Sequence, residues 1–400
     1  MEGSVCTALA ATTHVFPLRH AARLGAMGLL LWTMACGPET SRDCVRPQWV
    51  TPLPDSISRV CGLVAGPGDR VSVLAARDRA VLLELHAGGA RWGEPRFTDQ
   101  PYDSCWDIAL DDQRNRWVTL TREAPGRGED DWFLFRVDPR GGAERIETSF
   151  EPRNIHRGFG RHGSWLISGR RGGSAPGDGA PEPVLESLDI GTSQLTPWTV
   201  PQELAWIHQA FSTSSGGSFV MGGPPGIDWV PGRLSFLESP SGSERWAREV
   251  GLYGALHAPS PAAVQDSPNS IIVSAETDHQ LRLERVLENG DVAWSHRLDH
   301  EFFSVRPHVA VGERVLALGT LTNSWGEPDL EVPREFLIFE DGRCACRQSF
   351  ELSLEGARPY GLVEGRDDQV ILAGTYEPDE NGSTRYWVGS FELQPRDGGE

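Results

Sequence analysis

The chain has 400 residues and a formal net charge of −19, and its 37 basic residues include no lysine. This charge repels phosphate backbones, which argues against nucleic acid as a partner. Without lysine, a Schiff-base lysine and the lysine of a phosphate loop are excluded.

The first segment has the features of an export signal. Arg19 and Arg23 precede an apolar stretch over residues 24–35, which ends at Cys36. This stretch is too short to span a bilayer as an ordinary helix. The order of basic residues, short apolar segment, small residue and cysteine resembles the signal of bacterial lipoproteins. The resemblance implies that Cys36 is lipidated and anchors the mature protein to the outer membrane of the cell envelope. An uncleaved anchor, a plain secretory signal and a cytosolic protein are the alternatives.

Beyond Cys36, one apolar run recurs seven times at spacings of 44 to 55 residues, a period typical of propeller blades. A short strand and a turn precede each run, and a third strand, a glycine-containing tight turn and a fourth strand follow it. The pattern predicts an all-β, seven-bladed β-propeller with four antiparallel strands per blade. The runs begin at Val71, Trp117, Trp165, Phe219, Ile271, Val315 and Val370.

The last repeat contains only three strands, whereas a spare strand-like segment over residues 48–53 precedes the first repeat. We expect this N-terminal strand to complete the last blade and close the ring, because an unpaired edge would otherwise remain. The predicted organisation is a signal peptide over 1–35, a tether over 36–46, the propeller over 47–395 and a polar tail over 396–400.

This strand and turn pattern resembles secreted bacterial propeller proteins with degenerate repeats, of the kind abundant in myxobacteria. The resemblance spans roughly residues 45 to 395 and rests on no signature motif. It implies a fold rather than an activity, because propellers serve both enzymes and binding modules.

Alignment of the first strands places histidine at one position in four consecutive repeats. The first strands of a propeller line its central channel, so the aligned side chains are expected to ring one mouth of that channel. They could bind a protein or a small polar ligand, bond to neighbouring backbone, or hold a metal for a lyase or hydrolase. The residues at this position are Cys61, Trp106, His156, His208, His257, His308 and Tyr360.

The sequence contains no pair of residues that indicates catalysis, and we therefore expect a monomeric, non-enzymatic binding module without a cofactor. The predicted ligand-binding residues are Trp106, His156, His208, His257, His308 and Tyr360. The longest loops follow the second strands and are expected on the same face, where their acidic residues would favour a cationic or neutral polar ligand.

Five cysteines follow Cys36, an odd number for a compartment that oxidises thiols. Cys61 and Cys105 occupy nearly matching places in neighbouring repeats, so we predict that they form a disulfide. We expect a second bridge from Cys44 to Cys344 or Cys346, which would fasten the closing strand. A local bridge between Cys344 and Cys346 is the alternative.

Overall fold

Strands make up seven four-stranded antiparallel sheets, which are the blades of a β-propeller. The computed structural model describes residues 44–66, 70–77, 79–86, 91–92, 102, 104–123, 130–156, 164–171, 182–223, 232–239, 241–250, 263–277, 280–298, 302–311, 313–321, 335–354, 356–364, 369–377 and 384–394. The predicted signal peptide, Cys36, His257 and the polar tail lie outside these residues. Among the described residues, no helix has the length and apolar character needed to cross a membrane.

The first three blades contain β2 (Arg59–Ala65), β3 (Val71–Ala76), β4 (Ala80–Leu85) and β5 (Arg91–Trp92); β6 (Ser104–Leu110), β7 (Arg116–Glu123), β8 (Asp130–Val137) and β9 (Ala143–Ile146); and β10 (Glu151–His156), β11 (Ser164–Arg171), β12 (Glu182–Asp189) and β13 (Gln194–Pro197). Blades four and five contain β14 (Trp206–Ser212), β15 (Ser218–Gly223), β16 (Arg233–Glu238) and β17 (Ser243–Glu249), then β18 (Ala263–Ser267), β19 (Ser270–Thr277), β20 (Gln280–Leu287) and β21 (Val292–Arg297). Blade six contains β22 (Phe302–Val311), β23 (Arg314–Leu321), β24 (Glu335–Glu340) and β25 (Arg343–Ser349). Blade seven contains β26 (Arg358–Glu364), β27 (Gln369–Tyr376), β28 (Arg385–Leu393) and β1 (Val45–Pro52).

The core lies between the blades. Among the described residues, buried apolar side chains form seven clusters, one at each interface between neighbouring blades. All six residues of β3 are buried, and Val73 and Leu74 belong to the clusters on opposite sides of blade one. A strand covered on both faces needs apolar residues at consecutive positions, which explains the continuous apolar run in every repeat.

The N-terminal strand closes the ring, as the sequence predicts. β1 pairs antiparallel with β28, from Val45 opposite Leu393 to Pro52 opposite Trp387. The start of β1 is also held from blade six, where the Gln348 side chain accepts a hydrogen bond from Val45 N at 2.8 Å and donates one to Val45 O at 2.9 Å. The strand begins two residues before the predicted boundary at residue 47.

Glycines shape the tight turns between third and fourth strands. Gly290 and Gly342 have φ angles of 88° and 74°, values that residues with a Cβ rarely adopt. The same glycines leave room for the preceding blade, since Trp246 lies against Gly290 and Trp294 lies against Gly342. The Trp246 indole also donates a 2.7 Å hydrogen bond to Glu288 O, so the outer strand of blade four is fastened to the turn of blade five.

Two disulfides join neighbouring blades. Cys61 and Cys105 are bonded with a Cα separation of 5.7 Å, which confirms the predicted bridge between blades one and two. Cys44 is bonded to Cys346, with a Cα separation of 6.5 Å, rather than to Cys344. The reason is a shift in strand register, since Cys346 pairs with Ile338 and Cys344 with the adjacent Phe339. Neighbouring strand residues face opposite sides, and accordingly Cys346 packs toward blade seven and Cys344 toward blade five.

Candidate ligand-binding mouth

First strands begin, second strands end and third strands begin on one face of the ring, which we call the mouth face. On this face the aligned position coincides in five blades with a register shift between first and second strands, so the residue there is the extra residue of a β-bulge. The residues at these shifts are Cys61, Trp106, His208, His308 and Tyr360. The alignment therefore identified a structural landmark, although the side chains of His308 and Tyr360 lie outside the described part of the structure.

Blade three departs from the alignment. Its register shift is at Arg153, between Pro152 and Asn154, so His156 lies three residues further along the strand than the counterpart of His208. Arg153 is thus the blade-three equivalent of Trp106 and His208. The structure brings Arg153, rather than His156, to the predicted position.

Three glycines of the second strands mark this landmark. A Cβ placed on Gly169, Gly222 or Gly374 would lie 2.0, 2.2 or 2.0 Å from a carbonyl oxygen of the first strand. Those carbonyls belong to residues that precede the shifted residue by two positions, and they are Glu151, Trp206 and Arg358. The close approach admits no side chain, so glycine in the second strand is a sequence signal for the register.

A cluster of two tryptophans and two arginines lies at the mouth face across blades one to three. The Trp106 and Trp132 rings meet edge to face, with centroids 5.3 Å apart. The guanidinium of Arg59 lies 5.4 Å from the Trp106 centroid, and that of Arg153 lies 4.6 Å from the Trp132 centroid. These distances are within the range of attractive cation–π contacts. We call these four residues the Arg–Trp cluster.

Trp106 is the exposed aromatic residue of the cluster. Its side chain is 38% exposed, and among the described residues only Val292 is also a large exposed hydrophobic residue. The indole N–H donates a 2.8 Å hydrogen bond to Asn154 Oδ1 in blade three. The ring is therefore exposed to solvent and also fixed in orientation, a combination common in aromatic residues that anchor an interface.

Polar residues that follow the shifted position fasten one blade to the next. Asp107 accepts 2.8 Å hydrogen bonds from its neighbour Ile108 N and from Ile155 N in blade three. Gln209 makes a two-way contact with Ala263 in blade five, accepting from its N at 3.0 Å and donating to its O at 3.2 Å. Burial raises the pKa of Asp107 to about 7 despite these two backbone hydrogen bonds.

The predicted histidines have different surroundings. His156 Nε2 lies 2.7 Å from Ser168 Oγ in the second strand of its own blade. Burial, with a further contribution from nearby His208, lowers the pKa of His156 to about 3, so the imidazole is neutral at physiological pH. His208 lies at the mouth face, where its ring meets Trp206 edge to face at 5.8 Å. Among residues with described positions, no three His, Cys, Asp or Glu side chains converge as metal ligands.

Sequence analysis missed Arg59, Trp132 and Arg153. Each lies within three residues of the mouth-facing end of a first or third strand. An arginine or aromatic residue at these strand ends is the signal that could have identified them. Their assembly into one cluster depends on contacts between blades, which the repeat pattern does not contain.

No model of a protein family matches the chain, and comparison with curated proteins gives no match. Solved structures do share the architecture. A structure of BBS1N in complex with ARL6DN has a TM-score of 0.53 at 12% identity, covering 89% of this chain and 99% of that chain. YCF48 bound to D1 peptide has a TM-score of 0.51 at 10% identity, covering 89% and 100%. The uncharacterized protein lmo1340 from Listeria monocytogenes has a TM-score of 0.51 at 11% identity, covering 88% and 99%. Similarity at these identities establishes the propeller fold of the chain.

Proposed function

We propose that the protein is a non-catalytic binding module, held in the cell envelope by a lipid on Cys36, whose binding surface is the mouth face of the propeller. The observation that carries the proposal is the exposed and oriented ring of Trp106. Its hydrogen bond to Asn154 and its contact with Trp132 hold the indole in place before a ligand arrives. A side chain that is ordered in advance loses little conformational entropy on binding.

The polar residues at the channel support a structural rather than a catalytic role. Asp107 and Gln209 are engaged with the backbone of the next blade, and His156 contacts Ser168. A propeller fastened in this way is a rigid support for a surface site. Of the three solved structures described above, one contains a protein complex and one a bound peptide, which are properties of those proteins.

Site-specific photo-crosslinking tests the proposal. A photoreactive phenylalanine analogue would replace Ser58, which directly precedes Arg59 at the mouth face, in one variant and Val292, on outer strand β21, in the other. Both residues are exposed, so the positions differ mainly in location, and Trp106 stays in place in both variants. In cells that produce the protein, we expect a discrete adduct from position 58 and none from position 292. The same adducts from both positions, or none from position 58, would contradict a ligand site at the mouth face.

A further inference from the structure

The ligand class follows from what already covers the two indoles. Sugars and flat apolar groups bind tryptophan by stacking on its open face. In the Arg–Trp cluster, Arg59 lies over Trp106 and Arg153 lies over Trp132. The two indoles also pack against each other edge to face. The stacking positions are therefore occupied in part by guanidinium groups, and an incoming cation would meet two positive charges.

A stacked guanidinium keeps its donors available. The N–H groups of arginine lie in the plane of the guanidinium, so they point sideways when its face covers an aromatic ring. Arg59 is exposed at the mouth face. The Arg153 side chain is 24% exposed, and its Nη2 lies 3.6 Å from Glu151. Its Nε is buried with no hydrogen-bond partner among the described residues, so the Nη donors are the ones that a ligand could reach. Paired in-plane donors match the two oxygens of a carboxylate.

Several carboxylates of the described part of this face are engaged by groups outside the Arg–Trp cluster. Asp55 pairs with Arg385 at 3.1 Å, and Asp131 pairs with Arg122 at 3.2 Å. Asp107 is turned to the backbone N–H groups of Ile108 and Ile155. Glu151 offsets part of the charge of Arg153, whereas no described carboxylate forms an ion pair with Arg59, so a net positive charge remains beside the exposed ring of Trp106.

On this basis, and resting on the proposed function, we propose that the Arg–Trp cluster binds a short acidic peptide segment, with a carboxylate on Arg59 or Arg153 and an apolar residue beside Trp106. The net charge of −19 disfavours a ligand with many negative charges, so we expect a segment with few carboxylates. A long polyanion would be repelled by the negative charge of the whole chain. Physiological salt screens charges that lie more than about 8 Å away, so a short segment that contacts only the cluster is repelled much less. The acidic loops predicted for this face would also repel a long polyanion.

A phage-displayed library of random heptapeptides, selected on the full chain at physiological salt, tests this inference. Selected peptides would be synthesised and their affinity measured for the wild type and for Arg59→Gln, Arg153→Gln and Trp106→Ala. Arg136→Gln is the matched control, because Arg136 makes the same kind of contact with Trp117 at 5.8 Å, away from the cluster. Thermal unfolding of each variant separates loss of binding from loss of fold.

We expect peptides with Asp or Glu next to an apolar residue. Binding should be at least tenfold weaker for Trp106→Ala and for one or both of Arg59→Gln and Arg153→Gln, but not for Arg136→Gln. Neutral or basic peptides that need Trp106 but neither arginine would overturn the inference and leave the proposed function standing. Selection of no peptide whose binding depends on Trp106 would contradict both the inference and a peptide-binding mouth.

Discussion

The indole N–H of Trp106 and the side-chain carbonyl of Asn154 form a 2.8 Å hydrogen bond that crosses from blade two to blade three. The bond connects the exposed aromatic residue of the mouth to the strand that carries Arg153. Ring orientation at the candidate site is therefore coupled to the contact between two blades.

A double-mutant cycle measures this coupling. We expect Trp106→Phe and Asn154→Leu to show an interaction free energy of about 1 kcal/mol in denaturant unfolding, the usual net value of one hydrogen bond. Trp106→Phe combined with Asn289→Leu is the control, because Asn289 lies in a turn of blade five. Additive effects in the first pair would show that the hydrogen bond does not hold the ring.

The pH dependence of stability should separate Asp107 from His156. The folded-state pKa of Asp107 is raised to about 7, so the folded protein retains a proton that the unfolded chain loses from about pH 4 upward. This group therefore lowers stability as pH rises toward 7. The pKa of His156 is lowered to about 3, so the unfolded chain takes up a proton below about pH 6.5 that the folded protein does not. This group lowers stability as pH falls.

Two substitutions make these opposite slopes visible. Relative to the wild type, Asp107→Asn should gain stability as pH rises from about 4 to 7, and His156→Gln should gain stability as pH falls from about 6.5. Unfolding by urea at a series of pH values between about 4 and 8 provides the measurement. If the stability of both variants relative to the wild type changed in the same direction with pH, the environments assigned to Asp107 and His156 would be wrong.

The disulfides give a prediction about stability and connectivity. In the chain-entropy model, loss of the Cys44–Cys346 bridge, which spans 302 residues, costs about 6 kcal/mol, and loss of Cys61–Cys105, which spans 44 residues, costs about 4 kcal/mol. We expect both Cys44→Ser and Cys61→Ser to lower the free energy of unfolding, with the larger decrease in Cys44→Ser. Cys344→Ser should leave both bridges intact. Peptide mapping without reduction identifies the pairs, and a peptide linking Cys44 to Cys344 would refute the register of β25.

The lipid anchor is tested at Cys36. Wild-type protein should partition into detergent and incorporate radioactive palmitate, and Cys36→Ala should abolish both properties. Cys6→Ala is the control, because Cys6 precedes the predicted signal cleavage site. Recovery of the wild type wholly in the aqueous phase would refute lipidation.

The fold could be predicted from the sequence because each blade repeats one physical requirement. A second strand covered on both faces needs a continuous apolar run, and Val71, Trp117 and Val370 each begin such a run. The missing strand of the last repeat located the closing strand β1. Both signals are local, and neither depends on which side chains meet across an interface.

The site was only partly predictable, because bulges change which side a residue faces. Alignment of the histidines placed His156 among the residues at the channel mouth, whereas the register shift in its strand is at Arg153. The same kind of shift directs Cys346 rather than Cys344 toward Cys44. The pattern of apolar residues does not reveal a single extra residue in one strand. Gly169 in the partner strand does indicate it, because the close approach of the first strand at the bulge leaves no room for a side chain there.

The position of Cys44 also determines how the propeller carries mechanical load. Cys44 comes just before β1, and Val45 lies at the end of that strand opposite the mouth face. Because Cys44 is bonded to Cys346 in blade six, a pull arriving from the N-terminal side passes into β25 before it reaches β1. The strand that closes the ring is thereby shielded from tension, and in a reduced protein the same pull would shear β1 along β28.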